Sequence, residues 1–577
     1  MNETSAPDAL DWQHVLRRRG FLELDARSRA QALLDPGTMR VLCGPFDRLE
    51  SPWLAPQGIV PQADDGVVIA RGTVDGRPAV IASIEQRFLG GAIGEVSGAK
   101  ISEALRMAAA DSRAGTPTAA VLLLETGGVR LQEANLGLAA VAEICSALLE
   151  LRPLAPVIGV VAGEVGSFGG VSIAAGLCTR LLVTREARIG LNGPAVIEQE
   201  GGVAEFDSSD RTLIWAVDGG EQRHATGLAD ALVPDDADLL RTAVRDAVAV
   251  GPLVKGSHRS ERLDVLRTRL ASLDPARPPA PHQLRAWWGA AYEPVQAPTR
   301  PRAESAQGPA SRGRAWLTAL TAGVRPWAPI PSVLRAQRDG AVYLAVVPDP
   351  DNPFHRARRG EVGLTECLAL AEQIRAVVAE DAGETDKRAL VAVVDLPSQA
   401  YGLIEEMSGL HQAIAACVDA YQAARTAGHP VVALVVGTAL SGGFLAHGLQ
   451  AAQILALDEP GVEIHAMHKP AAARITQRTV AQLDELAQTI TPLSYDVRDW
   501  AKLGLCDGLL AVENADEPTA KDTAIVGAAI AEAIVRARTG PRDLSRRLDS
   551  PGALATRGAS RAVRERLARQ WIHEQAS

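Results

Sequence analysis

Short aliphatic runs and longer amphipathic segments alternate along this sequence. The runs at 119–126, 157–163 and 180–184 are rich in Ala, Val and Leu, and the segments between them place apolar residues at helical spacing. Such runs are typical of strands buried on both faces of a sheet, and parallel strands need crossovers of this length. The pattern predicts an α/β fold with mainly parallel sheets and right-handed crossovers.

The strand–helix unit occurs twice. In the later part of the chain it includes a predicted strand at 389–396, a second strand, and a helix that starts at a glycine-bearing turn. Corresponding residues keep a nearly constant separation, because Asp395 follows Glu125 at almost the same distance along the chain as Gly448 follows Gly176. We interpret this as a tandem duplication.

A segment without apolar periodicity separates the two units. Residues 295–314 are rich in Pro, Ser, Arg and Ala, which predicts a flexible linker. The expected domains are therefore 1–294 and 315–540, followed by a charged tail at 541–577. Near its end the tail has the spacing of an amphipathic helix, RAVRERLARQWIHEQ.

Composition narrows the class of protein. The net charge is -10 and no long Lys/Arg run occurs, which argues against nucleic-acid binding. The six cysteines form no CxxC pair, so neither a zinc ribbon nor a disulfide framework is indicated, and free thiols fit a reducing cytoplasm. The N-terminus lacks the apolar region of a signal peptide, and no membrane span is expected.

Glycine-bearing turns follow neighbouring strands in both halves. A strand that leads through glycine into a helix leaves backbone N–H groups unpaired at the positive end of the helix dipole. Glycine also lets a ligand approach without a Cβ in the way. Two such turns can direct two N–H groups at one oxygen, an oxyanion hole suited to a thioester enolate. The candidates are Gly127, Gly128, Val129, Gly169 and Gly170 in the first half, and Ala400, Tyr401, Ser441, Gly442 and Gly443 in the second.

Other chemistries have weaker support. A single Gly-Gly turn more often serves tight turning and helix–sheet packing, but four turns in matched pairs favour function. HExxH, GxSxG and GxxxxGK[ST] do not occur, and GEVGSFGG lacks the GxGxxG register of a dinucleotide site. In His465-Ala466-Met467-His468-Lys469, His468 interrupts the A-M-K-M of biotin carriers, so covalent biotin is not expected.

Longer segments carry a family resemblance. Residues 64–101 and LLLETGGVRLQEA resemble acyl-CoA carboxyltransferases, in which SGGARxxEG is usual; Thr126 replaces the Ser and Val129 replaces the Ala. These departures, with GEVGSFGGVSIAAGLCTRLLVTREARIGLNGPAVIEQE, resemble the beta subunit of biotin-independent malonate decarboxylase. The second half, including VAVVDLPSQAYG and HPVVALVVGTALSGGFLAHG, resembles the gamma subunit. The resemblance covers most of 21–290 and 315–510.

The resemblance implies two tandem crotonase-like domains of the ClpP/crotonase superfamily, with the active site between them. It implies a malonyl thioester as substrate, carried on a CoA-derived prosthetic group of an acyl carrier protein subunit, and decarboxylation without biotin, without a metal and without a covalently bound cofactor. A separate transferase subunit would load malonate onto the carrier and release acetate. We also consider a homo-oligomer, and we expect no nucleic-acid or membrane partner.

Residue roles follow from these implications. The first pair of turns is assigned to the thioester oxygen, and the second pair to the leaving carboxylate or CO2. Tyr401 and His465 are the candidate proton donors. Arg87, Lys100 and Arg130 are candidates for binding the phosphates of the prosthetic arm.

Three alternatives stay open. A biotin-dependent acyl-CoA carboxyltransferase would share the fold and both holes and would place biotin in the second. A crotonase-type hydratase or isomerase would need carboxylates beside the holes, for which Glu133 and Glu405 are available. A non-catalytic scaffold is disfavoured by intact glycine turns in both halves.

Overall fold

Two sheets, one in each half of the chain, organise the computed structural model, which describes residues 18–297 and 308–572. The first sheet has seven strands in chain order: β1 (Arg40–Leu42), β2 (Val67–Val74), β3 (Arg77–Ile84), β4 (Ala119–Leu123), β5 (Val157–Val161), β6 (Arg180–Val183) and β7 (Ala231–Leu232). β1, β2 and β3 pair antiparallel, and every pair from β3 to β7 is parallel.

The second sheet repeats this plan. Its strands are β8 (Trp327–Ile330), β9 (Val333–Arg338), β10 (Ala341–Val346), β11 (Ala389–Leu396), β12 (Val431–Leu440), β13 (Gln453–Leu457), β14 (Ile464–His465) and β15 (Gly508–Leu510). β8, β9 and β10 pair antiparallel, while β10 to β13 and β15 are parallel, and β14 pairs with the end of β12. The predicted α/β fold with the strand–helix unit repeated in tandem is confirmed.

Helices connect the strands and cover the sheets. In the first half they are α1 (Ala26–Leu33), α2 (Glu95–Arg113), α3 (Ala134–Leu151), α4 (Gly170–Leu177), α5 (Pro194–Gly201), α6 (Arg211–Asp218), α7 (Gly220–Ala225), α8 (Ala237–Val250), α9 (Leu263–Ala271) and α10 (Pro281–Trp288). In the second half they are α11 (Arg312–Leu320), α12 (Leu364–Glu380), α13 (Leu403–Met407), α14 (Leu410–Ala427), α15 (Ser441–Ala446), α16 (Lys469–Ile475), α17 (Val480–Ala487), α18 (Val497–Lys502), α19 (Ala520–Thr539), α20 (Pro551–Thr556) and α21 (Gly558–Ile572).

The central strands of the first sheet are buried on both faces. Every residue of β4 and β5 is buried. In β2, Val67 and Ile69 belong to one core cluster, whereas Val68 and Ala70 belong to another on the opposite face. Alternation along the strand sends successive side chains to opposite faces, so aliphatic residues at all positions are needed to fill both layers.

One helix of the described residues, spanning Leu131–Leu151, is long and apolar enough to cross a membrane by length and composition. Its most apolar stretch is 94% buried inside the protein, which is typical of a core helix.

The predicted linker lies only partly within the described residues, because 298–307 fall outside them. At its C-terminal end the prediction of a flexible segment is wrong, since α11 begins at Arg312. The Ser311 hydroxyl caps this helix by accepting the Arg314 N–H at 3.3 Å. Sequence composition missed this cap.

The charged tail packs against the first half. The predicted amphipathic helix is present as α21, which lies on α2, while residues 573–577 fall outside the described part. Trp571 is buried and donates from Nε1 to Asp111 at 2.9 Å, and Arg557 pairs with Glu143 at 2.9 Å. The end of the second half is therefore held on the first half by apolar and ionic contacts.

Candidate active site

A cavity of about 590 Å³ lies between the two halves. Both pairs of glycine turns reach its wall, through Gly127, Val129, Gly169 and Gly170 of the first half and Gln399, Tyr401, Ser441 and Gly442 of the second. Much of the remaining wall is apolar and includes Leu89, Leu131, Leu138, Phe168, Leu191, Leu445 and Met467. The other predicted site residues, Gly128, Ala400, Gly443, His465, Arg87, Lys100 and Arg130, do not line it.

The two turns of the first half touch each other. Gly128 has φ 110° and Gly169 has φ 60°, both in the left-handed region that favours glycine. A Cβ placed on Gly169 would lie only 2.9 Å from Cα of Gly128. Glycine is therefore required at both positions by conformation and by space.

Backbone hydrogen bonds decide which N–H groups can face a ligand. Three of the predicted donors already have acceptors: Gly127 N–H donates to Gly90 O at 2.9 Å, Gly128 N–H to Thr126 Oγ1 at 2.9 Å, and Gly169 N–H to Leu191 O at 2.9 Å. Among residues 18–297 and 308–572, the N–H groups of Val129 and Gly170 have no protein acceptor. Gly170 is the first residue of α4, at the positive end of its dipole.

The second half repeats this geometry with different side chains. Gln399 occupies the place of Val129, since each forms an isolated parallel bridge to the segment before a long helix. Ser441, with φ 55°, occupies the place of Gly169. The residues that follow are also equivalent, because Gly170 is the first residue of α4 and Gly442 is the second residue of α15. A non-glycine residue with positive φ is costly, so Ser441 is held there by its surroundings.

Two of the predicted donors of the second half already have acceptors. Gly442 N–H donates to Oε1 of Gln399 at 2.7 Å, and Ala400 N–H donates to Val362 O at 3.0 Å. Gly443 has a packing role, because a Cβ there would lie 2.6 Å from Ser398 O. Of the residues predicted for this hole, only Tyr401, Ser441 and Gly442 face the cavity.

Tyr401 is a buried phenol on the cavity wall, with 8% of its surface exposed. Burial raises the pKa of Tyr401 to about 12, against the opposing effect of hydrogen bonding to Ser441. The Ser441 hydroxyl in turn donates to Ala466 O at 2.8 Å. Tyr401 is therefore a neutral donor at physiological pH.

His465 lies behind the wall. It is 2% exposed, its ring stacks on Tyr495 with centroids 3.8 Å apart, and its Nδ1 is 2.8 Å from Met467 O. Burial lowers the pKa of His465 to about 3. This placement argues against the proton-donor role, since the ring is neutral and does not reach the cavity.

Replacing His465 with Asn tests whether this side chain is the proton donor. We expect turnover near the native rate, whereas loss of a general acid typically costs about 10²–10⁴-fold. Below the usual histidine pKa of 6.5, the unfolded chain takes up a proton that folded His465 does not bind until about pH 3. Native stability therefore falls as pH drops through this window, by about 1.4 kcal/mol per pH unit, and the variant should lose that slope. Urea midpoints measured from pH 7 down to 5 and the rate at pH 7.5 check both effects; a rate loss of about 100-fold in a folded variant would restore the donor role.

Two of the predicted phosphate-binding cations are structural. Lys100 is fully buried and donates from Nζ to Asp64 O at 2.9 Å and to Val67 O. Arg130 is also fully buried, and its Nη1 lies 2.7 Å from Asp65 Oδ1 and 3.1 Å from Glu133 Oε2. These contacts contradict a role for Lys100 and Arg130 in binding phosphates. Arg87 is exposed and stays a candidate.

A different arginine faces the cavity. Among the described residues that line the cavity, only Arg188 carries a charged side chain. Its guanidinium lies over the Trp215 ring at 4.9 Å and donates from Nη2 to Glu164 O at 2.5 Å, while Nε is buried without a partner in the described part of the chain. Sequence analysis missed Arg188 because it follows a strand without any motif.

The carboxylates required by a hydratase are absent from the wall. Glu133 is engaged by Arg130, and burial raises the pKa of Glu133 to about 7. Glu405 is buried, its oxygens have no hydrogen-bond partner in the described part of the chain, and burial raises the pKa of Glu405 to about 8. Neither lines the cavity, so the geometry does not favour hydration or isomerisation. Within the described ranges no cluster of His, Cys, Asp or Glu could hold a metal ion.

Polar contacts join the halves beside the cavity. Glu406 accepts the N–H groups of Leu191 at 2.9 Å and of Asn192 at 2.7 Å. Arg223 crosses in the other direction and donates to Glu406 O at 2.9 Å and to Met407 O at 3.3 Å. The wall loop of the first half is thus positioned by α13 of the second.

Comparison with known proteins identifies the family of each half. The carboxyl transferase domain matches residues 23–286, and the malonate decarboxylase gamma subunit matches residues 357–571. The malonyl-S-ACP:biotin-protein carboxyltransferase MADC of Malonomonas rubra is 40% identical over 230 residues, covering 38% of this chain and 72% of that protein. The malonyl-S-ACP:biotin-protein carboxyltransferase MADD of the same organism is 38% identical over 133 residues, and the match covers 22% of this chain and 46% of MADD.

Chains of solved structures are also similar to this chain. A chain of a Pseudomonas malonate decarboxylase hetero-tetramer in complex with malonate is 59% identical, with 48% of this chain and 99% of that chain covered and a TM-score of 0.47. A chain of the Pseudomonas MdcD-MdcE hetero-dimer is 53% identical, covering 45% and 99%, with a TM-score of 0.38. The protein therefore belongs to the malonate decarboxylase carboxyltransferases, with a beta-subunit-like half and a gamma-subunit-like half fused in one chain.

Proposed function

We propose that this chain removes CO2 from a malonyl thioester and leaves the acetyl thioester, as the decarboxylating component of a malonate decarboxylase complex. The observation that carries the proposal is the pair of unpartnered N–H groups of Val129 and Gly170 on the wall of a largely apolar cavity. Such donors stabilise negative charge on oxygen without having to reorganise.

The chemistry follows from that pair. The bond between the α-carbon and the carboxylate breaks, and its electrons move through the new C=C bond onto the thioester oxygen. The Val129 and Gly170 N–H groups hold this enolate while CO2 leaves. The α-carbon then takes a proton and the thioester carbonyl re-forms. Apolar neighbours such as Leu138 and Leu445 favour the step, because they disfavour the charge of the desolvated substrate carboxylate. The charge moves to the thioester oxygen, which the two N–H groups stabilise.

Two side chains are proposed to assist. Tyr401 is the proposed proton donor, because its phenol lies on the wall and stays protonated. Arg188 is proposed to draw the anionic substrate into the cavity through its positive charge. In this scheme neither biotin nor a metal ion takes part.

Further subunits are part of the proposal. The relative MADC is named for malonyl-S-ACP, and the Pseudomonas enzyme is a hetero-tetramer. We propose that the thioester here is carried on a CoA-derived arm of an acyl carrier protein, and that a separate transferase loads malonate. The assembly is proposed to be cytoplasmic and to include more than one copy of this chain.

The alternative is transfer of the carboxyl group to biotin. The names of MADC and MADD, which specify a biotin protein as acceptor, favour this second function. It would use the same first hole, but it needs an open site for biotin in the second half.

Release of CO2 from malonyl-CoA by the purified chain, without biotin and with avidin present, tests the proposal. We expect CO2 and acetyl-CoA in equal amounts. Carboxylation of free biotin from malonyl-CoA, with no CO2 release in its absence, would favour the alternative. If neither CO2 release nor biotin carboxylation is detected, with malonyl-CoA or with a malonyl thioester of an acyl carrier protein, both proposed functions are refuted.

A further inference from the structure

A side chain occupies the donor site of the second half. Oε1 of Gln399 accepts the Gly442 N–H at 2.7 Å, and its Nε2 donates to Oδ1 of Asn192 at 2.6 Å. Nδ2 of Asn192 then donates to Ala400 O at 2.9 Å. Two carboxamides therefore form a continuous chain of hydrogen bonds from the helix terminus to the backbone of the neighbouring turn.

The first half lacks this arrangement. Its equivalent residue is Val129, whose side chain cannot accept a hydrogen bond, and the N–H of Gly170 has no acceptor in the described part of the chain. Gln399 follows Val129 at almost the same distance along the chain as Gly442 follows Gly170, as the duplication requires. The repeat thus produced two similar donor sites, and one glutamine closes the second.

The geometry points to Gln399 as a specificity-determining residue: its carboxamide is an internal ligand of the second donor site and excludes the carbonyl oxygen of an external CO2 acceptor. The acceptor class is a cyclic urea, such as the ring of biotin, whose oxygen needs the same N–H group. This inference rests on the proposed decarboxylation and assigns its independence from biotin to one residue.

The internal ligand is held from both halves. Gln399 is 6% exposed and Asn192 is 2% exposed, so water does not compete well for their amides. Glu406 fixes the backbone of Asn192 by accepting its N–H at 2.7 Å. A urea from solution would have to break the bond to Gly442 and leave the Gln399 oxygen buried without a donor, which is unfavourable.

The substitution Gln399→Val places the side chain of Val129 at the equivalent position and leaves the Gly442 N–H without its acceptor. In the full chain, malonyl-CoA-dependent carboxylation of free biotin should rise about tenfold or more above the native level, which is the gain expected for freeing one hydrogen-bonded site. Asn192→Ala leaves Gln399 in place but removes its tether, so a smaller rise is expected. Gln412→Ala is the matched control, because Gln412 also donates across the halves, to Gly176 O at 3.2 Å, without touching Gly442; no rise is expected there.

The outcomes separate the two proposals. If the native chain releases no CO2 from any malonyl thioester, the proposed function fails. If the native chain releases CO2 but already carboxylates biotin efficiently, Gln399 does not exclude the acceptor and the inference is overturned. It is also overturned if folded Gln399→Val, or folded Asn192→Ala where the former does not fold, carboxylates biotin no faster than Gln412→Ala. Melting temperatures identify the variants that fold.

Discussion

Replacing Gly170 with proline is expected to lower kcat for decarboxylation about 10²–10³-fold relative to Gly170→Ala, the usual effect of removing one oxyanion-hole donor. The two variants differ mainly in the backbone N–H. Both carry a Cβ, which would lie 2.7 Å from Cγ1 of Val141 and 3.0 Å from Cδ1 of Leu445 and must displace the ends of those side chains. Only proline removes the hydrogen of this unpartnered N–H group.

Proline also suits this position structurally. Gly170 is the first residue of α4, where the missing N–H breaks no helical hydrogen bond and the fixed φ matches the helix. Similar melting temperatures for the two variants would show that both disturb the packing around Gly170 to the same extent. Equal kcat values for them, measured as CO2 release under substrate saturation, would remove the Gly170 N–H from the mechanism. The preceding Gly169 has φ 60° and is left unchanged for that reason.

Replacing Arg130 with methionine is expected to destabilise the first half by about 3–5 kcal/mol, because it leaves buried carboxylates without their cation. Asp65 and Glu133 are both fully buried and lie 2.7 Å and 3.1 Å from Nη1 of Arg130. The guanidinium also stacks over Phe88 at 5.1 Å, and methionine keeps part of that apolar contact. The loss measured is therefore chiefly electrostatic.

The urea midpoint of the full chain measures this effect, and Arg87→Met is its control. Arg87 is exposed, so its replacement should leave the midpoint unchanged. If Arg130→Met kept native stability and instead raised KM for malonyl-CoA, the role in phosphate binding first expected for Arg130 would be correct after all. A rise in KM for Arg87→Met would support contact with the prosthetic arm.

The local pattern determined the elements and their repetition. Runs of Val, Leu and Ala at β4, β5, β11 and β12 can be buried only in a sheet covered on both faces, so the strands were predictable without any tertiary information. Glycines at the ends of these strands marked the turns, because positive φ and close approach restrict residue type. The family resemblance supplied the substrate class, which periodicity alone could not.

Pairing of hydrogen-bond donors was decided only by the tertiary structure. The sequence showed five candidate residues in the first pair of turns, and the fold leaves the N–H groups of Val129 and Gly170 unpartnered because Gly90, Thr126 and Leu191 take the others.

Long-range charge pairing likewise could not be derived from sequence. Lys100 and Arg130 look like surface cations until strands distant in sequence bury them against acceptors, while Arg188 becomes a cavity residue for the same reason. Gln399 was part of a predicted turn, yet its contact with Gly442 depends on Asn192 from the other half. Sequence thus determined which segments form the site, and packing between the halves determined which atoms remain free to act.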